Sequence, residues 1–374
     1  MLAPFAITLC FLTSPTLSSV LPEDRADVLY HSYDGGGVTI SGPSILVRKG
    51  FKEKYSASAN YYVDKVSSAS IDVVSTASKY TEERTEYSVG IDYLENKTTL
   101  SSGFGNSSEN DYEAETFFFN FSQDFFGDLS TLSLGFSQGS DDVMKTGDAN
   151  FLEHVDRKNY KLSLTQIISK NFIANLSFET ITDQGFLNNP YRSVRFLTVP
   201  NGTNHDYQNE QYPNTRTSDA FALKGIYYLP YRAALKMEYR YFSDSWDIKA
   251  NTFGVEYRHP FKNHWLAEFR VRQYSQNKAD FYSDLFDFKN AQEFLARDKE
   301  LSTFSSLTLG ATLSYERKIT HQRFIDRTSV TLGYDYISFD YDNFREINLL
   351  LDSGTEPLYS FSANVIRFYF SAWY

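Results

Sequence analysis

No run of apolar residues approaches the roughly 18 in succession that a membrane-crossing helix needs. Cysteine is nearly absent: Cys10 is the single one among 374 residues. It lies in the first twenty residues, so a chain trimmed of that segment can form neither a disulfide nor a thiolate metal site. Its flank, Ile7-Thr8-Leu9, lacks the small residue expected before a lipidated cysteine, which argues against a lipoprotein. Positive charge is also in short supply. Lys and Arg number 36 against 47 Asp and Glu, a net charge of −11. That leaves no dominant basic footprint for a nucleic acid. What the chain has in excess is aromatic residues, 28 Tyr and 32 Phe, at a mean hydropathy of only −0.42. Many aromatics without long apolar runs fit strands that put one face into lipid.

Met1 to about Ser19 reads as a cleaved secretory signal, with an apolar stretch from Leu2 to Leu12 and small residues at Ser18 and Ser19. The Lys or Arg usual at the start of such a segment is missing. Residues 20–37 are expected to be a first strand or a lumen-inserted segment, and residues 38–374 a transmembrane barrel.

The dominant pattern is period two. Ala233, Leu235, Met237, Tyr239 and Tyr241 alternate with Ala234, Lys236, Glu238, Arg240 and Phe242. Trp265, Ala267, Phe269 and Val271 alternate with Leu266, Glu268, Arg270 and Arg272, and Leu307 to Glu316 repeats the theme. Successive side chains of a strand point to opposite faces, so each segment has a greasy side and a polar side. Such segments run to about ten residues, the length of a tilted bilayer crossing. Short connections, as at Lys52–Lys54, Asn96–Lys97 and Pro230–Tyr231, alternate with long or polar ones, as at Ser140–Asp156, Asp183–Asn214, Asn277–Leu301 and Tyr341–Pro357. Short periplasmic turns and long outer loops are the habit of outer-membrane barrels, and Tyr239, Tyr241, Tyr257, Tyr334 and Tyr336 suit their aromatic girdles. The expected fold is therefore all-β: a transmembrane antiparallel up-and-down β-barrel. Counting turns gives about 16 strands, with 14 or 18 as alternatives, because both ends should lie in the periplasm and the number should be even.

The last residues sharpen this reading. Ile366, Phe368, Phe370, Ala372 and Tyr374 share one face of a final strand that ends on an aromatic residue. That arrangement resembles the assembly signal read by the bacterial barrel-assembly machinery, with Ala372 small for the pattern. The expected location is the outer membrane of a Gram-negative bacterium, among lipid and lipopolysaccharide.

Several longer runs carry a family resemblance. Asp24-Arg25-Ala26-Asp27-Val28-Leu29-Tyr30, Tyr33-Asp34-Gly35-Gly36-Gly37-Val38, Gly42-Pro43-Ser44, Asn60-Tyr61-Tyr62-Val63-Asp64 and Tyr80-Thr81-Glu82-Glu83-Arg84 belong to the first third. Glu179-Thr180-Ile181-Thr182-Asp183, Gly185 to Arg192 and Ala279 to Asp284 follow. Together they resemble a proteobacterial outer-membrane barrel family catalogued as a domain of unknown function, over nearly the whole chain beyond the leader. The resemblance implies an exported barrel. It brings no catalytic residue and no substrate, and it points to small periplasmic lipoproteins and redox-linked envelope proteins as partners.

Motifs of chemistry are few. Gly135-Phe136-Ser137-Gln138-Gly139 matches the hydrolase elbow, but that motif needs a strand turning sharply into a helix. Here Leu132, Leu134 and Phe136 alternate straight through it, so Ser137 is expected to face the pore and no catalytic residue is assigned. His259 and His264 flank a short turn and read as solvated. Asp141, Asp142 and Asp148, and Asp280, Asp284 and Asp287, read as acidic outer loops whose spacing does not match a calcium loop. No cofactor and no metal is assigned. The candidate site is the lumen. Lys224, Lys236, Glu238, Arg240, Glu256, Arg258, Glu268, Arg270 and Arg272 lie on the polar faces of adjacent strands, since the opposite placement would put Arg in hydrocarbon at about 2–4 kcal/mol each. Asp64, Asp92, Glu316 and Asp335 are placed on the other wall. A basic wall facing an acidic one would set a transverse field; a self-neutralising charge ladder is the equal alternative. The leading function is porin-like passage or binding of small polar solutes. A structural or docking barrel is the alternative from another class, and a membrane-embedded lipid hydrolase the third.

Overall fold

A computed structural model describes residues 20–68, 80–319, 324–347 and 350–374. The expected signal segment lies outside the described residues, as do parts of the predicted connections Ser67–Arg84 and Lys318–Phe324. In chain order the strands are β1 (Arg25–Gly35), β2 (Val38–Phe51), β3 (Tyr55–Ser68), β4 (Tyr80–Glu95), β5 (Thr98–Ser108), β6 (Tyr112–Phe125), β7 (Ser130–Lys145), β8 (Asp148–Ser169) and β9 (Phe172–Gly185). A small hairpin, β10 (Ser193–Leu197) and β11 (His205–Asn209), interrupts the series. It resumes with β12 (Thr215–Tyr228), β13 (Ala234–Asp244), β14 (Lys249–Phe261), β15 (Trp265–Gln276), β16 (Phe304–Lys318), β17 (Arg327–Arg345) and β18 (Leu358–Trp373). All but β10 and β11 form one closed barrel in which neighbours in sequence pair antiparallel and β18 pairs with β1. The barrel therefore has 16 strands, the expected number.

The alternation sorts the two faces as the sequence suggests. Met237, Tyr239 and Tyr241 are exposed on the outside of β13, as are Phe269 and Val271 on β15 and Leu307 and Leu309 on β16. Their neighbours Lys236, Glu238 and Arg240 turn inward. Aromatic rings gather beside the short turns: Phe51 stacks on Tyr55, Tyr55 packs against Tyr93, and Trp265 packs against Tyr315 with centroids 4.9 Å apart. Both ends of the described barrel lie at this turn end, where Arg25 pairs with Trp373. Ile366, Phe368, Phe370 and Tyr374 are all exposed on the outer face, with Ala372 between them in the same register.

Three expectations need correction. Of the two readings of residues 20–37, the first strand is the one found: β1 belongs to the barrel, so the barrel's start moves from Val38 to Arg25. It turns into β2 through Gly36 and Gly37, at φ 59° and 76°, two consecutive left-handed residues that only glycine adopts without strain. The predicted loop Ser140–Asp156 is instead an extended hairpin. β7 and β8 remain paired to Lys145 and Asp148 around the turn at Thr146–Gly147. Above a bilayer a strand needs no greasy face, so its polar sequence looked like a loop. Finally, the strands are longer than ten residues, from 11 in β1 to 22 in β8.

Candidate functional site

The inward faces divide into two zones. Nearer the turns, charged side chains of neighbouring strands pair laterally. Lys224 on β12 lies 3.4 Å from Glu238 on β13, and Lys236 lies 3.8 Å from Glu256 on β14. Arg258 on β14 reaches Glu268 on β15 at 2.8 Å and Glu256 at 3.5 Å. Arg240 turns the other way, to Glu179 on β9 at 3.6 Å. Arg270 and Arg367 both bind Asp335, one on each carboxylate oxygen. Every one of the predicted lumenal residues thus faces inward, but their arrangement is a ladder of paired charges and not a bare basic strip. Arg272 makes no ion pair among the described residues, and its guanidinium lies 5.8 Å from the Tyr274 ring centroid.

The expected opposition of walls holds for only half of the acidic set. Asp335 on β17 and Glu316 on β16 stand beside the basic strands, and Glu316 lies 3.7 Å from Arg327. A long Arg side chain reaches across one or two strands, which is why these acids neutralise their neighbours and face no one across the pore. Asp64 and Asp92, on β3 and β4, do lie across the barrel from β13 and β14. Asp64 is buried, 2.8 Å from His31 Nε2, and His31 stacks on Tyr62. Asp92 accepts a hydrogen bond from Ser101 at 2.6 Å.

The outer zone was missed by sequence reasoning. Residues 186–214 and 277–303 do not spread into solvent but fold against each other over the mouth. Gln211 and Leu295 exchange backbone hydrogen bonds of 2.9 and 2.7 Å, and Phe196 bridges to Phe286. Beneath them, Tyr212, Trp246, Phe281 and Tyr282 pack with Phe339 and Tyr341 of β17 and Tyr359 of β18. Trp246 and Phe281 meet edge to face at 5.1 Å. A buried ion cluster sits beside these rings. Arg195, 0% exposed, binds the carboxylates of Asp284 and Glu356, and its Nε donates to the Asp284 carbonyl at 2.8 Å. Arg297 donates to Asp284 Oδ1 at 3.1 Å and to the Arg345 carbonyl at 2.9 Å. Asp284 is therefore no solvated loop acid: it ties three segments together. Asp280, Asp287 and Asp148 do stay exposed, whereas Asp141 is buried against Arg157 at 3.1 Å and takes the Tyr112 hydroxyl. The one signal that could have revealed the cap is the run of large apolar residues, Phe281, Tyr282, Leu285, Phe286, Phe294 and Leu295, inside an outer loop.

Two acids of the cap are displaced in opposite directions. Burial, reinforced by Asp298, pushes Glu210 up to about 7, although the Arg297 N–H and the Tyr212 hydroxyl donate to it. Glu356 is also penalised by burial, but the Arg195 hydrogen bond and backbone donors hold its carboxyl below the ordinary value.

Two motifs find ordinary settings. Gly135–Gly139 lies wholly inside β7, with no strand-to-helix turn, and Ser137 faces the lumen. His259 is 2.9 Å from the Tyr257 hydroxyl and His264 Nδ1 3.0 Å from the Glu316 carbonyl, so the two rings are engaged separately.

A closed antiparallel barrel with an apolar outer belt and a charged interior is the fold of an outer-membrane β-barrel protein. The bacterial polysaccharide outer membrane secretin shares it at a TM-score of 0.51 and 8% identity, covering 95% of this chain and 100% of that one. OccK2 of Pseudomonas aeruginosa, solved with glucuronate, aligns at 0.44 and 9%, covering 95% and 100%. The siderophore receptor PirA of Pseudomonas aeruginosa aligns at 0.42 and 9%, with 94% of this chain spanning 63% of the receptor. No curated protein matches the sequence. The chain belongs to the family described as Protein of unknown function (DUF3570), whose model matches residues 75–336.

Proposed function

We propose that the protein resides in the bacterial outer membrane and admits or binds small polar solutes in its charged lumen, with the outer mouth narrowed by its own loops. The observation that carries this reading is the docking of residues 186–214 and 277–303 over a lumen lined by paired charges. A 16-strand barrel is wide enough to hold water unless loops fill it. The laterally paired ladder keeps charged groups within reach of a polar solute while most of them have a partner of opposite sign. In this reading the leader directs export, the exposed aromatic face of β18 engages the assembly machinery, and the barrel is not an enzyme.

The loop is removable by design. Gln276 and Phe304 are register partners, so the ends of β15 and β16 are neighbours and a short Gly-Ser linker can replace residues 278–302. Conductance in planar bilayers should then rise from small or infrequent steps to large, stable ohmic ones. A shortened barrel that still shifts on heating in gels, yet passes no more current than the parent, would overturn the reading.

A further inference from the structure

Away from the charge ladder, three carboxylates converge at the outer rim. Glu82 stands near the outer end of β4, and Glu109 and Asp111 belong to the turn between β5 and β6. One oxygen from each lies within 4.8 Å of the others. The turn is held in place by its backbone: Glu109 N–H donates to the Tyr112 carbonyl and Met144 N–H to the Asp111 carbonyl, both at 2.8 Å. Asp111 is only 4% exposed. Its Oδ2 accepts from the Tyr191 hydroxyl at 2.5 Å, but its Oδ1 is buried with no hydrogen-bond partner among the described residues. A buried carboxylate oxygen left without a donor is costly unless a cation or proton meets it. With Oδ2 taken, Oδ1 is the oxygen left for a ligand.

Among the described residues, these three carboxylates share a single ion pair. Its cation is Arg84, 3.9 Å from Glu109, which is also engaged with Glu86 at 2.9 Å. Hard, anionic oxygen donors select calcium or magnesium over softer metals. Calcium–oxygen distances of about 2.3–2.6 Å place two ligands of one ion up to about 5 Å apart. The spacing of the three carboxylates falls inside that limit.

We propose that Glu82, Glu109 and Asp111 form a calcium site at the outer rim. The ion would join the end of β4 to the β5–β6 turn. Tyr191 extends the link, because its hydroxyl binds Asp111 and also accepts from Thr146 N–H at 2.6 Å. Calcium would thereby fasten the start of the 186–214 loop to the rim at the β5–β6 turn. The remaining coordination positions are left to water, as is usual for an ion that takes 6–8 oxygens.

The test is isothermal titration of calcium chloride into the full-length, detergent-solubilised barrel at pH 7.5, with folding checked by heat-modifiability. One saturable site is expected. Glu109→Gln combined with Asp111→Asn should weaken it by at least about tenfold, and Asp287→Asn, a distant exposed acid, should leave it unchanged. If the double variant fails to fold, Glu82→Gln on the other strand serves in its place. Tyr191→Phe keeps all three carboxylates but frees the loop, so calcium should bind yet no longer protect residues 186–214 from protease. A folded parent barrel without saturable calcium heat would overturn the site and point to a proton shared between the carboxyls. Binding unchanged in the carboxylate variants would equally overturn it.

Discussion

The cap over the outer mouth and the ladder in the lumen are built from the same residue types, yet they hold their charges differently. Arg195 and Glu356 are 0% and 1% exposed in their side chains, beside the packed aromatic rings. Arg258 and Glu268 are 51% and 20% exposed and lie along strands that are already fixed by the barrel. In the cap the ion pairs decide whether the loops stay down, because removing one partner strands the other in an apolar setting. In the ladder the backbone hydrogen bonds of 16 strands set the geometry, and the charges contribute little to stability. Position and dielectric separate the two, not the chemistry of the groups.

The sharpest way to break the comparison is Arg195→Leu. Glu356 would be left buried without its cation and Asp284 with Arg297 alone, a loss of about 3–5 kcal/mol in local stability. Hydrogen exchange should show residues 186–214 and 277–303 losing protection while the strands keep theirs. Retained protection in the loops would mean that the aromatic packing alone holds the cap.

A smaller effect should come from pH. Glu210 keeps its proton in the folded cap up to about 7, whereas an unperturbed glutamate loses it near 4.5. Between those values the folded state binds more protons than the unfolded one, so cap stability falls as pH rises through this window and levels off above it. Proteolysis of the loops should accelerate from pH 5 to pH 7.5 in the parent. Glu210→Gln should flatten that trend, and an unchanged slope in this variant would assign it to another group.

Selectivity should respond more modestly. Arg272 is the ladder arginine without an ion pair among the described residues, so its charge is not offset by a paired carboxylate on that wall. In a salt gradient, Arg272→Glu should shift the reversal potential toward cations, most strongly at low ionic strength, where screening extends beyond about 10 Å. Arg258→Ala, by contrast, should change stability by about 0–1 kcal/mol and the reversal potential hardly at all. Equal shifts in the two variants would show that lateral pairing does not mute the ladder.

The barrel itself was legible because a lipid-facing strand must alternate, and β13, β15 and β16 do so cleanly. The inward parity of the charged set followed from the same constraint. The β7–β8 hairpin was not legible, since Asp141, Asp142, Lys145 and Asp148 obey no apolar alternation above the membrane. The cap was hidden for a different reason: Arg195 and Glu356 are 161 positions apart, and nothing local announces their pairing. The Arg270–Asp335 contact shows the same limit inside the barrel. Parity places both groups in the lumen, but only the strand order shows that they are neighbours.

The seam between β1 and β18 has a kinetic meaning. Every other pair of adjacent barrel strands lies close in sequence or is joined through one capping loop, so those hairpins can zip as the chain is delivered. Arg25 meets Trp373 only when the last strand has arrived. Closing so large a loop carries an entropic cost that grows with the logarithm of its length, and it defers the burial of both strand edges to the end. Until that moment the nascent sheet presents two unpaired edges, and its survival depends on being shielded from other chains. The outward aromatic row on β18 therefore sits on the strand whose arrival ends that vulnerable interval.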